Sequence, residues 1–214
     1  MFAHYYDLLM GDIDYKELIE FLEKNINLKE MVLDAGCGSG NILIPLVQHG
    51  YQVTGIDNDP SMLEIIKNKC SFLGISPRLI KGDILKPIEE KYDTIIMMFD
   101  VINYFRDPKE LLENLYNTLK KDGKLIFDMY QFDYLKEIDN YIEDEVEPIP
   151  YIFKTNVIEN ELHHEIVVDG SVFEIKEYVF KLDEIIECLS TIGFKEIKVN
   201  QVFDFRKDYL IAYK

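Results

Sequence analysis

The run Val32-Leu33-Asp34-Ala35-Gly36-Cys37-Gly38-Ser39-Gly40 constrains this chain more than any other segment. It reads as a short apolar strand that runs straight into glycines at alternate positions. Glycine reaches φ > 0 without a Cβ clash, so such a loop lets backbone come close to a bound molecule. Ile42, Leu43, Leu46 and Val47 follow at helical spacing. They predict a helix opening from the loop, its N-terminal amides turned to the polar part of a ligand. Val53-Thr54-Gly55-Ile56-Asp57 predicts a second strand ending in a carboxylate, a group able to take both hydroxyls of a ribose. The pattern is that of a nucleotide-type cofactor site.

Spacing separates two kinds of nucleotide cofactor. Dinucleotide sites use G-x-G-x-x-G, whose third small residue lets helix and strand pack closely. Here Asn41 stands where that residue belongs, and Asp34 ends the strand, a carboxylate that an NAD site does not need. The stretch instead resembles motif I of the class I S-adenosylmethionine-dependent methyltransferases, V-L-D-x-G-x-G-x-G. Lys81-Gly82-Asp83-Ile84 resembles the family's adenine-binding loop. Tyr92-Asp93-Thr94-Ile95-Ile96-Met97-Met98-Phe99-Asp100 resembles motif IV, the strand that ends under the transferred methyl. Asp107-Pro108-Lys109-Glu110, the turn Leu119-Lys120-Lys121-Asp122-Gly123 and the run Lys124-Leu125-Ile126-Phe127-Asp128 resemble the helix, turn and strand that follow. The likeness is strong over residues 30–130 and loose beyond them.

The resemblance implies an α/β fold, a doubly wound, mostly parallel seven-stranded sheet of Rossmann-like methyltransferase type. It implies S-adenosyl-L-methionine as cofactor and S-adenosyl-L-homocysteine as product. Backbone around Gly36 and Gly38 would hold the methionine tail, Asp57 the ribose, and Asp83 with Ile84 the adenine. Phe99 and Asp100 would floor the site beneath the methyl. Tyr5, Asp34, Cys37, Gly40, Asn58, Met62 and Gly82 complete the implied cofactor contacts. Tyr5-Tyr6-Asp7-Leu8-Leu9-Met10 is similar to the start of a subgroup holding sugar-amine and glycine N-methyltransferase-like enzymes. In those relatives an N-terminal tyrosine lies near the sulfonium or the acceptor. Tyr6 fits that place best and Tyr5 second, and either equally suits a staple packing the first helix on the core.

Length and charge bound the rest. A chain of 214 residues can bury one substantial core, so residues 1–214 are expected to form a single methyltransferase domain. With 40 acids against 23 bases the net charge is −17, and no Lys/Arg cluster is visible. Binding a nucleic-acid backbone needs such clusters, so a small-molecule acceptor is expected and nucleic acid is not. No apolar run approaches a membrane span, and an N-terminus holding Asp7, Asp12 and Asp14 does not read as a signal peptide. Cys37, Cys70 and Cys188 lie far apart without metal-ligand spacing, which fits a reducing, cytoplasmic setting and predicts no metal site. Cys37 reads as a small residue facing the cofactor, not as a nucleophile.

Strands are expected near 31–35, 51–56, 78–82, 92–98 and 124–129, alternating with helices. Asp59-Pro60 and Asp107-Pro108 each place an N-cap before a proline at the first helical position. Residues 146–180 break this rhythm with β-rich segments at 149–158, 162–168 and 172–180, joined by Glu159-Asn160 and Asp169-Gly170. They predict an antiparallel meander inserted as a lid before a last helix that stops at Gly193. Strands near 195–203 and 208–214 close the chain.

Methyl transfer needs mainly alignment of nucleophile and methyl in a dry site. An amine needs no base once neutral, whereas a hydroxyl usually does, so nitrogen stands slightly ahead of oxygen as acceptor. Phe99-Asp100-Val101-Ile102-Asn103-Tyr104 lacks the prolines that DNA amino-methyltransferases carry there, which speaks against base methylation. Asp100 and Asn103 suit ligand orientation and turn capping equally. The candidates for catalysis are Tyr6, His163 and His164, with His4, Tyr130 and Tyr178 behind them. Adjacent strand residues face opposite sides, so at most one of His163 and His164 points inward. Two other classes stay open: a non-catalytic S-adenosylmethionine-binding regulatory module, and an NAD-dependent oxidoreductase.

Overall fold

The structure is a computed structural model that describes residues 2–11, 13–202 and 204–214. Asp12 of the acidic N-terminal run and Phe203 at the end of an expected strand lie outside the described residues.

Parallel strands that are covered on both faces must be apolar throughout. Strands β1 (Met31–Ala35), β2 (Gln52–Asp57) and β4 (Tyr92–Met97) meet that demand, being almost wholly buried. With β3 (Arg78–Lys81), β5 (Leu119–Tyr130), β10 (Glu196–Asn200) and β11 (Lys207–Tyr213) they form a seven-stranded sheet ordered β10-β11-β5-β4-β1-β2-β3. Pairings from β5 through β3 are parallel, while β11 runs antiparallel to β5 and to β10. The chain runs outward from β1 to β3 and then returns to β4 on the other side of β1. This reversal opens a crevice at the carboxyl ends of β1 and β4, the usual ligand position in such sheets.

Helices α2 (Lys16–Asn25), α3 (Leu43–Gln48) and α4 (Pro60–Leu73) cover one face through Leu18, Leu22, Leu43, Leu46 and Ile66. Helices α5 (Pro108–Thr118) and α7 (Leu182–Ile192) cover the other through Leu111, Leu112, Leu115, Ile185 and Leu189. The helix starts follow the sequence. Asp59 accepts from the Ser61 N–H at 2.8 Å and Asp107 from the Lys109 N–H at 3.0 Å, each ahead of a proline.

Residues 141–178 build a second sheet, β6 (Tyr141–Glu145), β7 (Tyr151–Ile158), β8 (Glu161–Val168) and β9 (Ser171–Tyr178), all antiparallel. The expected tips are where the hairpins turn: Glu159 and Asp169 adopt φ of 59° and 48°. The sheet starts earlier than expected because β6 carries Glu143, Asp144 and Glu145 and shows no apolar alternation. A short α6 (Leu135–Ile138) precedes it.

Three further differences have local causes. Helix α1 (Phe2–Leu9) forms ahead of the expected first helix, resting on α4 and on Phe173 of β9. Lys120 to Gly123 is an irregularity inside β5 and not a turn before it, since Tyr92 pairs Leu119 and Thr94 pairs Lys124. Helix α3 has only 6 residues and starts at Leu43, and it joins the loop through the Ile44 N–H, which donates to the Gly40 carbonyl at 2.9 Å.

Candidate active site at the strand ends

A cavity of about 440 Å³ fills the crevice beyond β1, β2 and β4. The loop after β1 is fixed to its neighbour: the Gly36 and Cys37 N–H groups both donate to the Ile56 carbonyl, at 2.9 and 3.1 Å. Gly36 needs its φ of 77°, and a Cβ on it would stand 3.0 Å from Val101 Cγ1. The Gly38 N–H donates to Asp57 Oδ2 at 2.8 Å, and the Asp59 N–H to Asp57 Oδ1 at 2.9 Å. Each Asp57 oxygen therefore keeps a lone pair for a ligand hydroxyl. Burial pushes the Asp57 carboxyl up, against the pull of these amides. Across the cavity, the Leu85 N–H holds Asp83 by Oδ1 at 2.9 Å.

Asp34 differs from both. It is 3% exposed, and its Oδ2 has no hydrogen-bond partner. Burial, reinforced by the Asp57 carboxylate, pushes its carboxyl up to about 7. A buried acceptor without a donor is costly, and a ligand N–H would satisfy it.

The turn after β4 is strained. Phe99 and Asp100 take φ of 63° and 53°, consecutive left-handed residues without glycine. Each costs about 1–3 kcal/mol, so the surroundings must enforce the conformation. The Asp100 N–H donates to Asp128 Oδ1 at 3.1 Å, and the Asp100 carboxylate is ion-paired with Lys207. Lys207 Nζ also lies 3.3 Å from Asp128 Oδ2 and 4.8 Å from the centre of the Tyr130 ring. Phe99 thereby lines the cavity, while the Asp100 carboxylate is held by Lys207 behind it.

Most of the expected cofactor residues meet at this one cavity. Asp34, Gly36, Cys37, Gly38, Asp57 and Asn58 line it together with Met62, Gly82, Asp83, Ile84 and Phe99. Tyr5, Gly40 and Asp100 do not. The Tyr5 hydroxyl donates to Asp169 Oδ2 at 3.0 Å, tying α1 to the β8–β9 hairpin. Gly40 serves packing, since a Cβ there would stand 2.9 Å from Ile66 Cγ1. Burial of Cys37 pushes its thiol far up, unlike an activated nucleophile.

Of the residues expected for catalysis, Tyr6 lines the cavity, and its ring would touch a Cβ on Gly38 at 3.9 Å. Burial pushes the Tyr6 hydroxyl far up, so it keeps its proton. His163 sits on the outer side of β8, 3.1 Å from Glu161. His164 faces inward but does not line the cavity: it is buried, 2.8 Å from Thr155 Oγ1 and 3.2 Å from Glu177 Oε2. His4 is exposed. Asn103 is a tether: its amide donates to the Tyr178 carbonyl at 2.7 Å and accepts from the Tyr130 N–H at 3.3 Å. Among the described residues no His/Cys/Asp/Glu cluster could hold a metal.

Phe2, Ser39, Val101, Tyr104 and Phe105 also line the cavity. Tyr104 and Phe105 stood beside motif IV in the sequence, but nothing marked Phe2, which arrives with α1.

Residues 32–123 match the family described as methyltransferase domain. The chain is 28% identical to the putative methyltransferase YqeM of Bacillus subtilis (strain 168), over 94% of this chain and 88% of that protein. The fold is that of an S-adenosylmethionine-dependent methyltransferase from Clostridium acetobutylicum ATCC 824, with a TM-score of 0.80 at 24% identity. That match covers 99% of this chain and 97% of the other. The sugar N-methyltransferase KedS8 from Streptoalloteichus sp ATCC 53650 shares the fold at a TM-score of 0.79 and 16% identity, covering 100% and 92%. The glycine loop, Asp57 and Asp83 stand around one cavity at the strand ends of this fold. No helix among the described residues is long and apolar enough to cross a membrane.

Proposed function

We propose that this methyltransferase transfers a methyl group from S-adenosylmethionine to a small-molecule acceptor, with nitrogen ahead of oxygen. The observation that carries the donor is the charge of the cavity wall. Asp34, Asp57, Asp59 and Asp83 line it, and among the described residues no Lys or Arg does. Such a wall suits a ligand with an ammonium, a sulfonium and ribose hydroxyls, and it opposes the pyrophosphate of a dinucleotide. The residues fit the donor in three further respects. Asp34 Oδ2 awaits a donor, Asp57 keeps lone pairs for hydroxyls, and Asp83 stands beside apolar Ile84 where an adenine amino group would bind.

S-adenosylmethionine supplies a methyl already activated by a positive sulfur. The chain's own part is to bind, orient and dry the site. Asp57 and Asp83 fix the two ends of the nucleoside, and Asp34 takes the tail ammonium. Phe99, held in its strained turn by Lys207 and Asp128, presents an apolar floor that keeps water from the reacting atoms. Tyr6 closes the cavity from α1, and the second sheet backs that helix through Phe173, which packs on Phe2 at 5.0 Å. Residues 1–214 work in this reading as one domain, with the second sheet as its lid. The sugar N-methyltransferase that shares the fold supports a small amine as acceptor.

The test is turnover. With S-adenosylmethionine and amino sugars or alkylamines, each paired with its alcohol, S-adenosylhomocysteine should form with amine members. Saturable binding without product from any class of acceptor would favour a regulatory module instead.

A further inference from the structure

Asn41 stands where a dinucleotide loop carries a small residue, so its side chain needs a reason of its own. It has partners on two sides. Its Oδ1 accepts from Lys69 Nζ at 3.3 Å, and its Nδ2 donates to the Tyr15 hydroxyl at 3.2 Å. Lys69 can only donate, and the Tyr15 hydroxyl gives its own proton to the Met10 carbonyl at 2.8 Å. One orientation of the amide therefore satisfies both neighbours, and neither Gly nor Ala could join either.

Both partners lead on to α1. Lys69, on α4, also donates to the Ser39 carbonyl at 3.1 Å and is ion-paired with Asp7 of α1. Met10, which Tyr15 holds, follows the last residue of α1, and its N–H donates back to the Tyr6 carbonyl at 2.9 Å. The Tyr15 ring meets Phe99 edge-on at 5.3 Å. Ser39, Asn41 and Phe99 line the cavity, and so do Phe2 and Tyr6 of α1. One amide thus joins three parts of the cavity wall: the glycine loop, the strained turn after β4 and α1. The loop is the fixed side, because its Gly36, Cys37 and Gly38 N–H groups are bound to Ile56 and Asp57. Helix α1, with only Ala3 fully buried, is the side that needs holding.

We infer that Asn41 is a positioning residue, which fastens α1 to the glycine loop through Lys69 at Asp7 and through Tyr15 at Met10. The two links hold Phe2 and Tyr6 over the donor. A donor covered in this way leaves when α1 lifts, so the links slow its release more than they speed its arrival.

That role rests on the methyltransferase reading, and the measurements separate the two. Calorimetry with S-adenosylhomocysteine tests the reading, and no binding to wild type overturns it. Asn41→Ala introduces a residue that dinucleotide loops accept at this position. It should release S-adenosylhomocysteine about tenfold faster in stopped-flow displacement, the effect of losing one or two partly buried hydrogen bonds. Hydrogen exchange over residues 3–9 of the complex should quicken with it, while that of α4 stays unchanged. Tyr15→Phe keeps the ring on Phe99 and should act in the same direction, and it serves where Asn41→Ala does not fold. Asn41 itself lines the cavity, so a direct contact with the ligand must be told apart. In a Tyr15→Phe, Lys69→Met background both links are already cut, and Asn41→Ala should add less than about twofold. A full tenfold effect there means that the amide touches the ligand, and it overturns the positioning role. Ligand-free protein gives the arm that is independent of the reading. Millisecond amide exchange over residues 3–9 should be several-fold faster in Asn41→Ala than in wild type, and equal rates overturn the inference whether or not S-adenosylhomocysteine binds.

Discussion

Asp34 is a carboxylate that the fold buries without giving it a full set of partners, and its proton links stability to binding. Its folded pKa of about 7 lies above the ordinary 3.8, so the unfolded chain ionises first as pH rises. The contribution of its retained proton is complete below the unfolded value and is lost as pH climbs through the folded one. A displacement of that size corresponds to on the order of 4 kcal/mol. Asp34→Asn abolishes that linkage. Thermal melts should show the ligand-free variant gaining on wild type between pH 5 and pH 8, by about 2–4 °C for each kcal/mol. Its affinity for S-adenosylmethionine should fall roughly tenfold or more, since a neutral amide no longer matches an ammonium. An unchanged pH dependence would mean that Asp34 is ionised or solvated in the folded state.

At the scale of elements, α1 is the part of the site held least by its own packing. Only Ala3 is fully buried within it. Its anchors are the Tyr5–Asp169 hydrogen bond, Phe2 on Phe173, and the Asp7–Lys69 ion pair, in which Lys69 also donates to the Ser39 carbonyl at 3.1 Å. A helix of 8 residues is too short to persist alone, so it depends on these contacts and on what lies beneath it. Hydrogen exchange should show fast exchange over residues 3–9 in the free protein and marked slowing with S-adenosylhomocysteine, because Phe2 and Tyr6 line the cavity. Equal exchange in both states would remove α1 from the binding machinery.

For the whole molecule, ligand binding and folding are linked. S-adenosylhomocysteine at about 100 times its Kd should stabilise the chain by about 2.7 kcal/mol. For a protein of this size that is a rise in Tm of roughly 5–10 °C. The parallel half was legible in the sequence because its demands are local: Gly36 needs its φ, Asp59 and Asp107 cap, and β4 must be apolar. The residues expected to hold a cofactor follow from motif order, and all but Tyr5, Gly40 and Asp100 meet at the cavity. Asp100 stands outside the cavity lining because its carboxylate pairs with Lys207, 107 positions away and beyond any local pattern. Strand β6 and helix α1 escaped because tertiary contact, not propensity, forms them.

The most direct test is calorimetric titration of wild type and Asp57→Ala with S-adenosylmethionine and S-adenosylhomocysteine. Wild type should bind both saturably. Losing a charged hydrogen-bond partner costs about 1.5–3 kcal/mol, so the variant should bind roughly 10- to 100-fold more weakly. Wild type that binds neither ligand, or Asp57→Ala that binds both as tightly as wild type, would contradict the account.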